Sequence, residues 1–404
     1  MFANIKQSTA KGTVSAPPSK SMAHRLLICA GLSNDTTKVR NVAFSQDILA
    51  TIDCLKAIGA KCDIDNDTVT ITGVNPTKLN NNIIANCRES GSTLRFFVPI
   101  LLLSDCNCVL VGSEYLFNRP MSVYREICKK QNLKFNLSNG RLDICGRITA
   151  GEYVINGSIS SQFISGLLFA LPLLEKDSFI KIIPPIESRS YINMTISALK
   201  TFGIKFVWKD DNTLFINGNQ KYRQTIVTVE GDYSNAAFYE AFNHIGGNVE
   251  ILGLNNDSLQ GDRIYKELFD LLEDECPVID VSDCPDLAPI LITVAALKNG
   301  ATFKGTKRLE IKESNRGVVM ANELAKFGAD IKVFDNEIIV KKTKLHSPNE
   351  ILCGHNDHRI VMSLVVISSL FGGKISDAKA INKSFPDFFD KIKLLGIKVD
   401  LDEN

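Results

Sequence analysis

The stretch ATIDCLKAIGAKCDI, at residues 50–64, contains the pattern on which the fold prediction depends. Apolar residues recur at helical spacing up to Ile58, Gly59 follows, and polar and apolar residues then alternate. A glycine directly after an amphipathic helix is typical of a left-handed C-cap, and alternation is typical of a half-buried strand. The stretch therefore predicts a helix that ends at a glycine and leads directly into a β-strand.

The same helix–glycine–strand pattern recurs along the chain. Three further copies contain the glycine, at residues 195–208, 321–334 and 389–401, and two weaker copies without it lie at 124–137 and 264–280. Gly328 and Gly396 lie about 70 residues apart, and Gly59 and Gly203 about twice that. Helix–glycine–strand is also a common connector in α/β proteins, but the regular spacing favours six repeats of about 70 residues. Six repeats in 404 residues indicate two domains of three repeats each.

The bulk composition excludes several classes of protein. Hydrophobic residues make up 45% of the chain and charged residues 23%, which is ordinary for a globular protein. A net charge of +1 argues against nucleic acid as a partner. The N-terminus lacks the apolar core of a secretory signal, and no apolar run reaches the roughly 18 residues that a membrane span needs. We therefore expect a cytoplasmic protein that binds neither nucleic acid nor membranes.

The cysteines and histidines predict no metal site. The eleven cysteines are scattered, odd in number and without a Cys-x-x-Cys pair, which favours reduced thiols over disulfides. His355 and His358 form a His-x-x-His, but no third ligand lies near them in sequence.

Short polar segments precede several apolar helices in the first half of the chain. They are APPSKSMAHR (16–25), ESGSTLRF (89–96), Arg119-Pro120 and GSISSQF (157–163), and Ser188 and Tyr191 occupy a similar segment. A helix N-terminus offers free N–H groups and a positive dipole end, so it can bind an anion, and Lys20 and Arg25 would add charge. Gly91 would let a ligand approach the backbone closely, and Pro120 is expected at a first helical position. An ordinary capped helix with solvated cations explains each segment, taken singly, about as well.

The second half of the chain repeats this arrangement and adds acids. Asp286 precedes an apolar helix, RLEIKESNR (308–316) contains Lys312, Glu313 and Arg316, and Arg359 and Lys383 complete the series. Seven cations expected at helix starts in a nearly neutral protein indicate a small polyanionic ligand rather than a polymer. They are Lys20, Arg25, Arg95, Arg119, Arg316, Arg359 and Lys383. Two carboxylates among those cations, Asp286 and Glu313, suit proton transfer.

As an ordered set, these motifs resemble the 5-enolpyruvylshikimate-3-phosphate synthase family over essentially the whole chain. The matching segments are SKSMAHR, ESGSTLRF, RPM, GSISSQF, CPD, KESNR, NDHR and KSFPDF. The resemblance implies an α/β fold of two similar domains, each of three βαββαβ units with helices inside and sheets outside. It implies crossings near residues 14–15 and 229–230, hence a discontinuous domain of 1–14 plus 230–404 and an inserted domain of 15–229. The active site would lie in the interdomain cleft.

The resemblance also implies the reaction and its residues. Phosphoenolpyruvate and shikimate 3-phosphate would give 5-enolpyruvylshikimate 3-phosphate and phosphate, a step towards chorismate and the aromatic amino acids, in a monomer without metal or cofactor. Asp286 would be the base and Glu313 the acid, with Lys20 also catalytic. The residues implied for phosphoenolpyruvate are Lys20, Gly91, Arg119, Gln162, Arg316, Arg359 and Lys383. Those implied for shikimate 3-phosphate are Ser21, Arg25, Ser160, Ser161, Gln162, Ser188, Tyr191, Asp286 and Lys312.

Three positions depart from familiar forms of the family, namely Glu89, Arg308 and Asn315, and none removes a proposed catalytic group. Two rival interpretations remain. The related family that acts on UDP-N-acetylglucosamine usually has a reactive cysteine five residues before an Arg-Pro, where this chain has Glu114. The second rival is a non-catalytic scaffold that only binds anions. The carboxylates of Asp286 and Glu313 argue against it, because they would not improve anion binding.

Overall fold

The computed structural model describes residues 1–79 and 82–402. The chain divides into two compact units: a discontinuous unit of Met1–Pro17 with the chain from Gly231 onward, and an inserted unit of Pro18–Glu230. These bounds lie within a few residues of the domain ranges expected from the sequence. The last two positions of the expected range 230–404 lie outside the described residues.

Strands and helices are interspersed along the described residues, in places with two or three strands in succession. The strands are β1 (Phe2–Lys6), β2 (Lys11–Ser15), β3 (Thr36–Arg40), β4 (Lys61–Asp65), β5 (Thr68–Thr72), β6 (Ile83–Asn86), β7 (Cys108–Val111), β8 (Lys134–Ser138), β9 (Arg141–Cys145), β10 (Glu152–Asn156), β11 (Ser178–Ile183), β12 (Phe206–Asp210), β13 (Thr213–Ile216), β14 (Ile226–Thr228), β15 (Asn248–Leu252), β16 (Val278–Asp280), β17 (Gly300–Lys304), β18 (Asp330–Val333), β19 (Glu337–Lys341), β20 (Leu352–Cys353), β21 (Gly373–Ser376) and β22 (Lys398–Asp402). The helices are α1 (Lys20–Gly31), α2 (Gln46–Ala57), α3 (Gly91–Leu101), α4 (Glu114–Phe117), α5 (Ser122–Lys130), α6 (Ser161–Ala170), α7 (Arg189–Thr201), α8 (Tyr233–Asn243), α9 (Tyr265–Leu271), α10 (Ala288–Leu297), α11 (Arg316–Ala325), α12 (His358–Phe371) and α13 (Phe388–Leu394).

Five four-stranded sheets of the described chain share one arrangement, in which a parallel pair is extended by two antiparallel strands. The inserted unit contains the orders β14-β3-β5-β4, β6-β7-β9-β8 and β10-β11-β13-β12. The discontinuous unit contains β16-β17-β19-β18 and β20-β21-β1-β22. In each sheet the first two strands pair parallel and the remaining pairs are antiparallel. The internal repetition predicted from the sequence is therefore confirmed in these five copies.

The sixth copy is reduced. It retains the parallel pair of β2 and β15, but the described residues between α9 and β16 form no hairpin. This is the copy at residues 264–280, which lacks the glycine. A strand follows the helix there as expected, but residues 272–277 separate the two, and that strand, β16, belongs to the next sheet.

Left-handed residues end the helices where the repeats predicted them. Gly59, Gly203, Gly328 and Gly396 have φ values of 99°, 81°, 90° and 90°. In the copy at 124–137, Asn132 takes the same role at φ 55°, which asparagine tolerates better than most residues. The predicted C-caps are thus confirmed, and Asn132 explains why that copy keeps its hairpin without a glycine.

Each unit has its own hydrophobic core, and in each the helices are its most buried elements. Nine of the ten residues of α10 and twelve of the fourteen of α12 are buried, whereas β11 alternates strictly between buried and exposed residues. Helices therefore fill the interior of each unit, and the sheets cover them with one face open to solvent. No helix in the described part of the chain is long and apolar enough to cross a membrane.

Candidate active site

The first cation of the inserted unit is held at the start of α1. The hydroxyl of Ser19 caps this helix by accepting from the N–H of Met22 at 3.4 Å. Lys20 follows as the first helical residue, and its Nζ donates to Oδ2 of Asp47 at 2.8 Å. Both side chains are mostly buried, with 15% and 12% exposed, so the ion pair fixes the position of the ammonium group. Asp47 was not among the predicted site residues.

Arg25 lies one turn further along α1 and is buried. Its guanidinium donates to the hydroxyl of Thr195 at 2.8 Å and to the carbonyl oxygens of Ser21 at 2.6 Å and Tyr191 at 3.1 Å. Burial lowers its pKa to about 10, which still leaves the side chain charged at neutral pH. Arg25 thus connects Ser21 and Tyr191, two residues predicted to bind the same ligand. All three of these acceptor oxygens are uncharged.

Gly91 begins α3 and lies directly against Arg119. A Cβ added at Gly91 would stand 2.5 Å from Nη1 of Arg119, so any larger residue would force the guanidinium to move. The Nε of Arg119 is buried and has no hydrogen-bond partner among the described residues. The prediction that Pro120 takes a first helical position is wrong, because α5 begins two residues later at Ser122. Arg119 therefore approaches Gly91 from a loop.

Gln162 is oriented by Arg95, one of the seven cations expected at helix starts but not one of the residues implied for either substrate. Nη1 of Arg95 donates to Oε1 of Gln162 at 2.5 Å, and Nη2 donates to the carbonyl oxygen of Pro120 at 3.0 Å. The amide of Gln162 donates in turn to the hydroxyl of Ser92 at 3.0 Å. Arg95 therefore links the starts of α3 and α6 to the loop that contains Arg119.

Three predicted serines lie at the starts of α6 and α7. Ser160 caps α6 by accepting from the N–H of Gln162 at 3.3 Å, and Ser161 is its first residue. Ser188 precedes α7 with a left-handed φ of 54°, and its side chain makes no capping hydrogen bond. All three are buried, so their hydroxyls are held in place within the inserted unit.

Arg316 is the centre of the site residues in the discontinuous unit. It is 1% exposed and begins α11, which Asn315 caps by accepting from the N–H of Val318 at 3.3 Å. Asparagine is a good N-cap, so this departure from the family pattern keeps the helix start. Nη1 donates to Asp286 at 2.7 Å, Nη2 to Glu313 at 2.7 Å and Nε to Asp357 at 2.9 Å. One guanidinium therefore joins three carboxylates, two of them predicted to be catalytic.

Asp286 does not cap α10, because Leu287 occupies the cap position and makes no side-chain capping bond. Its carboxylate is instead surrounded by cations: Lys312 at 3.1 Å, Arg316 at 2.7 Å and Arg359 at 3.6 Å. Burial alone would raise the pKa of Asp286, but these three cations outweigh it and hold the pKa well below the usual range. Asp286 is therefore ionised at neutral pH.

Arg359 and Lys383 differ in how they are held. Arg359 is buried in the first turn of α12, and its Nε and Nη1 have no hydrogen-bond partner among the described residues. Its guanidinium carbon lies 5.7 Å from the ring centre of Phe238. Lys383 was expected at a helix start, and this is wrong, because it ends the 3₁₀ helix Ala378–Lys383. Its Nζ donates to the carbonyl oxygen of Asn356 at 2.6 Å.

Asp262 is a buried acid that the sequence analysis missed. It is 2% exposed, accepts a short hydrogen bond from the hydroxyl of Ser234, and its Oδ1 has no hydrogen-bond partner among the described residues. Burial and the nearby charge of Asp286 raise its pKa to about 7. Its only signal in the sequence is a polar segment before a helix, and several segments of this chain share that signal.

The predicted residues thus form two groups, one in each unit. The inserted unit contains Lys20, Ser21, Arg25, Gly91, Arg119, Ser160, Ser161, Gln162, Ser188 and Tyr191, and the discontinuous unit contains Asp286, Lys312, Glu313, Arg316, Arg359 and Lys383. The first group offers cations and hydroxyls to an anion, and the second adds carboxylates that can transfer protons. Across residues 1–79 and 82–402, no three His, Cys, Asp or Glu side chains form a group that could hold a metal ion.

Comparisons with known proteins agree with this chemistry. Residues 5–392 match the family model described as EPSP synthase (3-phosphoshikimate 1-carboxyvinyltransferase). A 3-phosphoshikimate 1-carboxyvinyltransferase of Clostridium perfringens is 40% identical over 97% of both chains, and one of Clostridioides difficile is 38% identical over 98% of both. The solved EPSP synthase of Acinetobacter baumannii has the same fold, with a TM-score of 0.79 at 22% identity over 99% of this chain and 100% of that one. The chain belongs to the EPSP synthase family.

Proposed function

We propose that this protein transfers the enolpyruvyl group of phosphoenolpyruvate to the 5-hydroxyl of shikimate 3-phosphate and releases phosphate. The family and its relatives support the reaction class. The observation that carries the proposal is the pair of carboxylates, Asp286 and Glu313, each 2.7 Å from the same buried guanidinium of Arg316. A protein that only bound anions would be weakened by acids placed between its cations.

The two substrates together carry two carboxylates and two phosphates, and the cations of both groups match that negative charge. We assign phosphoenolpyruvate to the cations and polar groups Lys20, Gly91, Arg119, Gln162, Arg316, Arg359 and Lys383. We assign shikimate 3-phosphate to Ser21, Arg25, Ser160, Ser161, Gln162, Ser188, Tyr191, Asp286 and Lys312. The unpartnered guanidinium nitrogens of Arg119 and Arg359 support the first assignment, because a buried donor costs free energy until an acceptor reaches it.

In the first step the 5-hydroxyl oxygen bonds to C2 of phosphoenolpyruvate while C3 gains a proton. Asp286 takes the hydroxyl proton and Glu313 supplies the proton to C3, which gives a tetrahedral ketal phosphate. In the second step the bond from C2 to the phosphate oxygen breaks, the methyl group returns a proton to Glu313, and phosphate leaves with the proton that Asp286 had taken. The enol ether forms without any phosphoryl transfer to the protein, and the cations stabilise the charge as it moves.

The low pKa of Asp286 sets a condition on this mechanism. A carboxylate surrounded by Lys312, Arg316 and Arg359 is a weak base. Substrate anions bound to those cations would offset their field, so the pKa of Asp286 should rise when the site fills. The base would thus become effective only with substrates present.

Phosphate release is the direct test. We expect release when the protein meets both substrates, and only the background level when either one is left out. Release that requires UDP-N-acetylglucosamine instead of shikimate 3-phosphate would assign the protein to the rival reaction. No release with any acceptor would reject an enolpyruvyl transferase. The proposal also includes a monomeric, cytoplasmic enzyme, and sedimentation velocity at micromolar concentration tests the monomer.

A further inference from the structure

The turn between β20 and α12 has an unusual backbone. His355 and Asn356 are consecutive, neither is glycine, and both are left-handed, with φ values of 49° and 51°. Such a conformation is sparsely populated for residues with a Cβ, and it persists only where surrounding contacts hold it. The contacts that hold this turn come from α11.

Glu323 on α11 binds both ends of the turn. It is 3% exposed, its Oε2 accepts from the backbone N–H of Cys353 at 2.8 Å, and its Oε1 lies 2.9 Å from Nε2 of His355. Lys326 adds a third hydrogen bond to Oε2 at 2.8 Å. Hydrogen bonds to an ionised carboxylate are stronger than neutral ones, so Glu323 restrains the turn firmly.

The same turn also holds cations of the proposed site. The carbonyl oxygen of Asn356 accepts from Nζ of Lys383 at 2.6 Å, so its direction depends on the left-handed backbone. The next residue, Asp357, accepts from Nε of Arg316 at 2.9 Å and caps the helix that contains Arg359. A change in the turn would move the acceptors of these cations together.

We propose that Glu323 and His355 are positioning residues, which hold the turn so that Lys383 and Arg359 are correctly placed for phosphoenolpyruvate. This rests on the proposed function, since that function assigns the two cations to phosphoenolpyruvate. Neither Glu323 nor His355 touches the substrate in this proposal. Their effect should therefore reach one substrate more than the other.

Three substitutions distinguish the effect of the Glu323–His355 contact from the effect of the left-handed backbone at residue 355. His355→Asn tolerates the left-handed conformation, but its side chain is too short to reach Glu323. His355→Gln keeps a donor of similar reach. Glu323→Gln keeps the shape but offers one oxygen to three donors. His346→Asn is the matched control, because His346 lies in the same unit and its ring contact is local, between Nδ1 and the carbonyl oxygen of Ser347 at 2.9 Å.

Steady-state kinetics measure the effect, with thermal unfolding of each variant as the check on folding. We expect His355→Asn and Glu323→Gln to raise the KM for phosphoenolpyruvate about tenfold, which corresponds to about 1.4 kcal/mol. The KM for shikimate 3-phosphate should change less than about twofold, kcat should fall less than the KM rises, and His355→Gln should recover part of the loss. The control should match wild type.

Two outcomes would overturn the proposal. An unchanged KM for phosphoenolpyruvate in both His355→Asn and Glu323→Gln would show that the turn does not depend on this pair. An equal rise for both substrates, together with a lower unfolding temperature, would reduce the pair to a general structural role. Wild-type protein that releases no phosphate would reject the proposed function, whereas active wild type with unaffected variants would reject only this inference.

Discussion

Both units bury arginines, and one from each, Arg25 and Arg316, have opposite surroundings. Arg25 in the inserted unit donates to a hydroxyl and two carbonyl oxygens, and burial lowers its pKa to about 10. Arg316 in the discontinuous unit donates to three carboxylates. Burial would lower the pKa of Arg316 as well, but Asp357, Glu313 and Asp286 outweigh it and raise the pKa well above the usual range.

Burial alone therefore does not determine the role of a cation, because the groups around it differ. Arg25 keeps its full positive charge within a neutral shell, which is the state that favours an incoming anion. Arg316 already meets three carboxylates, so besides its proposed part in phosphoenolpyruvate binding it holds Asp286 and Glu313 on one guanidinium. In the proposed function, the inserted unit thus supplies binding groups, and the discontinuous unit supplies groups for both binding and proton transfer.

The largest expected effect is on turnover, from Asp286→Asn. The amide keeps the size and an acceptor but cannot take a proton, so kcat should fall roughly 10² to 10⁴-fold, as for the loss of a general base. Calorimetry should find that shikimate 3-phosphate still binds. Because Asp286 does not cap α10, a helix-capping role cannot account for a loss of activity. Near-normal turnover would remove Asp286 from the mechanism.

The second effect is on stability and compares the two arginines directly. Arg316→Met leaves Asp357, which is 0% exposed, without its counter-charge, and breaking a buried ion pair costs about 3–5 kcal/mol. Arg25→Met leaves only neutral oxygens unsatisfied, at about 1–3 kcal/mol. Scanning calorimetry at neutral pH should show the larger drop for Arg316→Met. Equal drops would contradict the distinction between charged and neutral shells.

The third effect distinguishes two acids of the discontinuous unit by pH. The pKa of Asp262 is raised to about 7, against about 3.9 in an unfolded chain, so the fold disfavours its ionised form. The resulting loss in the free energy of unfolding is absent below about pH 4 and grows as the pH rises to about 7. Above pH 7 the loss is complete and reaches at most about 4 kcal/mol. Asp262→Asn should therefore raise the unfolding temperature relative to wild type at pH 8 and not at pH 4.

Asp286 should show the opposite trend. Its pKa is depressed, so its stabilising contribution is present above the unfolded value and is lost as pH falls through the folded value. Asp286→Asn should lower the unfolding temperature at pH 8 and less so near pH 3. If Asp262→Asn and Asp286→Asn shift the unfolding temperature in the same direction at pH 8, the electrostatic contrast between these acids is wrong.

The smallest expected effect is on phosphoenolpyruvate binding, from Gly91→Ala in the inserted unit. In Gly91→Ala the new methyl group would meet Nη1 of Arg119, so the guanidinium must move. The KM for phosphoenolpyruvate should rise several-fold to about tenfold, and the KM for shikimate 3-phosphate should rise less. A double-mutant cycle with Arg119→Ala sharpens this, because Gly91→Ala should add little once Arg119 is gone. Additive effects would mean that Gly91 acts independently of Arg119.

Local sequence determined the repeated elements of this protein. A left-handed C-cap depends on one residue and its neighbours, so Gly59, Gly203, Gly328 and Gly396 could be assigned before any packing was known. The polar segments before α1 and α6 could also be recognised, because an N-cap bonds within its own first turn, and the structure identifies Ser19 and Ser160 as the caps. The order of the motifs was enough to indicate the family and the residues of the two groups.

Tertiary structure alone decided the partners. Arg316 reaches Asp286 and Asp357 across 30 and 41 residues, and Arg25 reaches Thr195 across 170. Such contacts depend on how the helices pack, which the spacing of residues within one segment does not predict. The same holds for Asp262, for the hold of Glu323 on the turn before α12, and for the place of Lys383 at the end of a 3₁₀ helix. The sequence therefore specified which groups could act, and packing set the charge that each one meets.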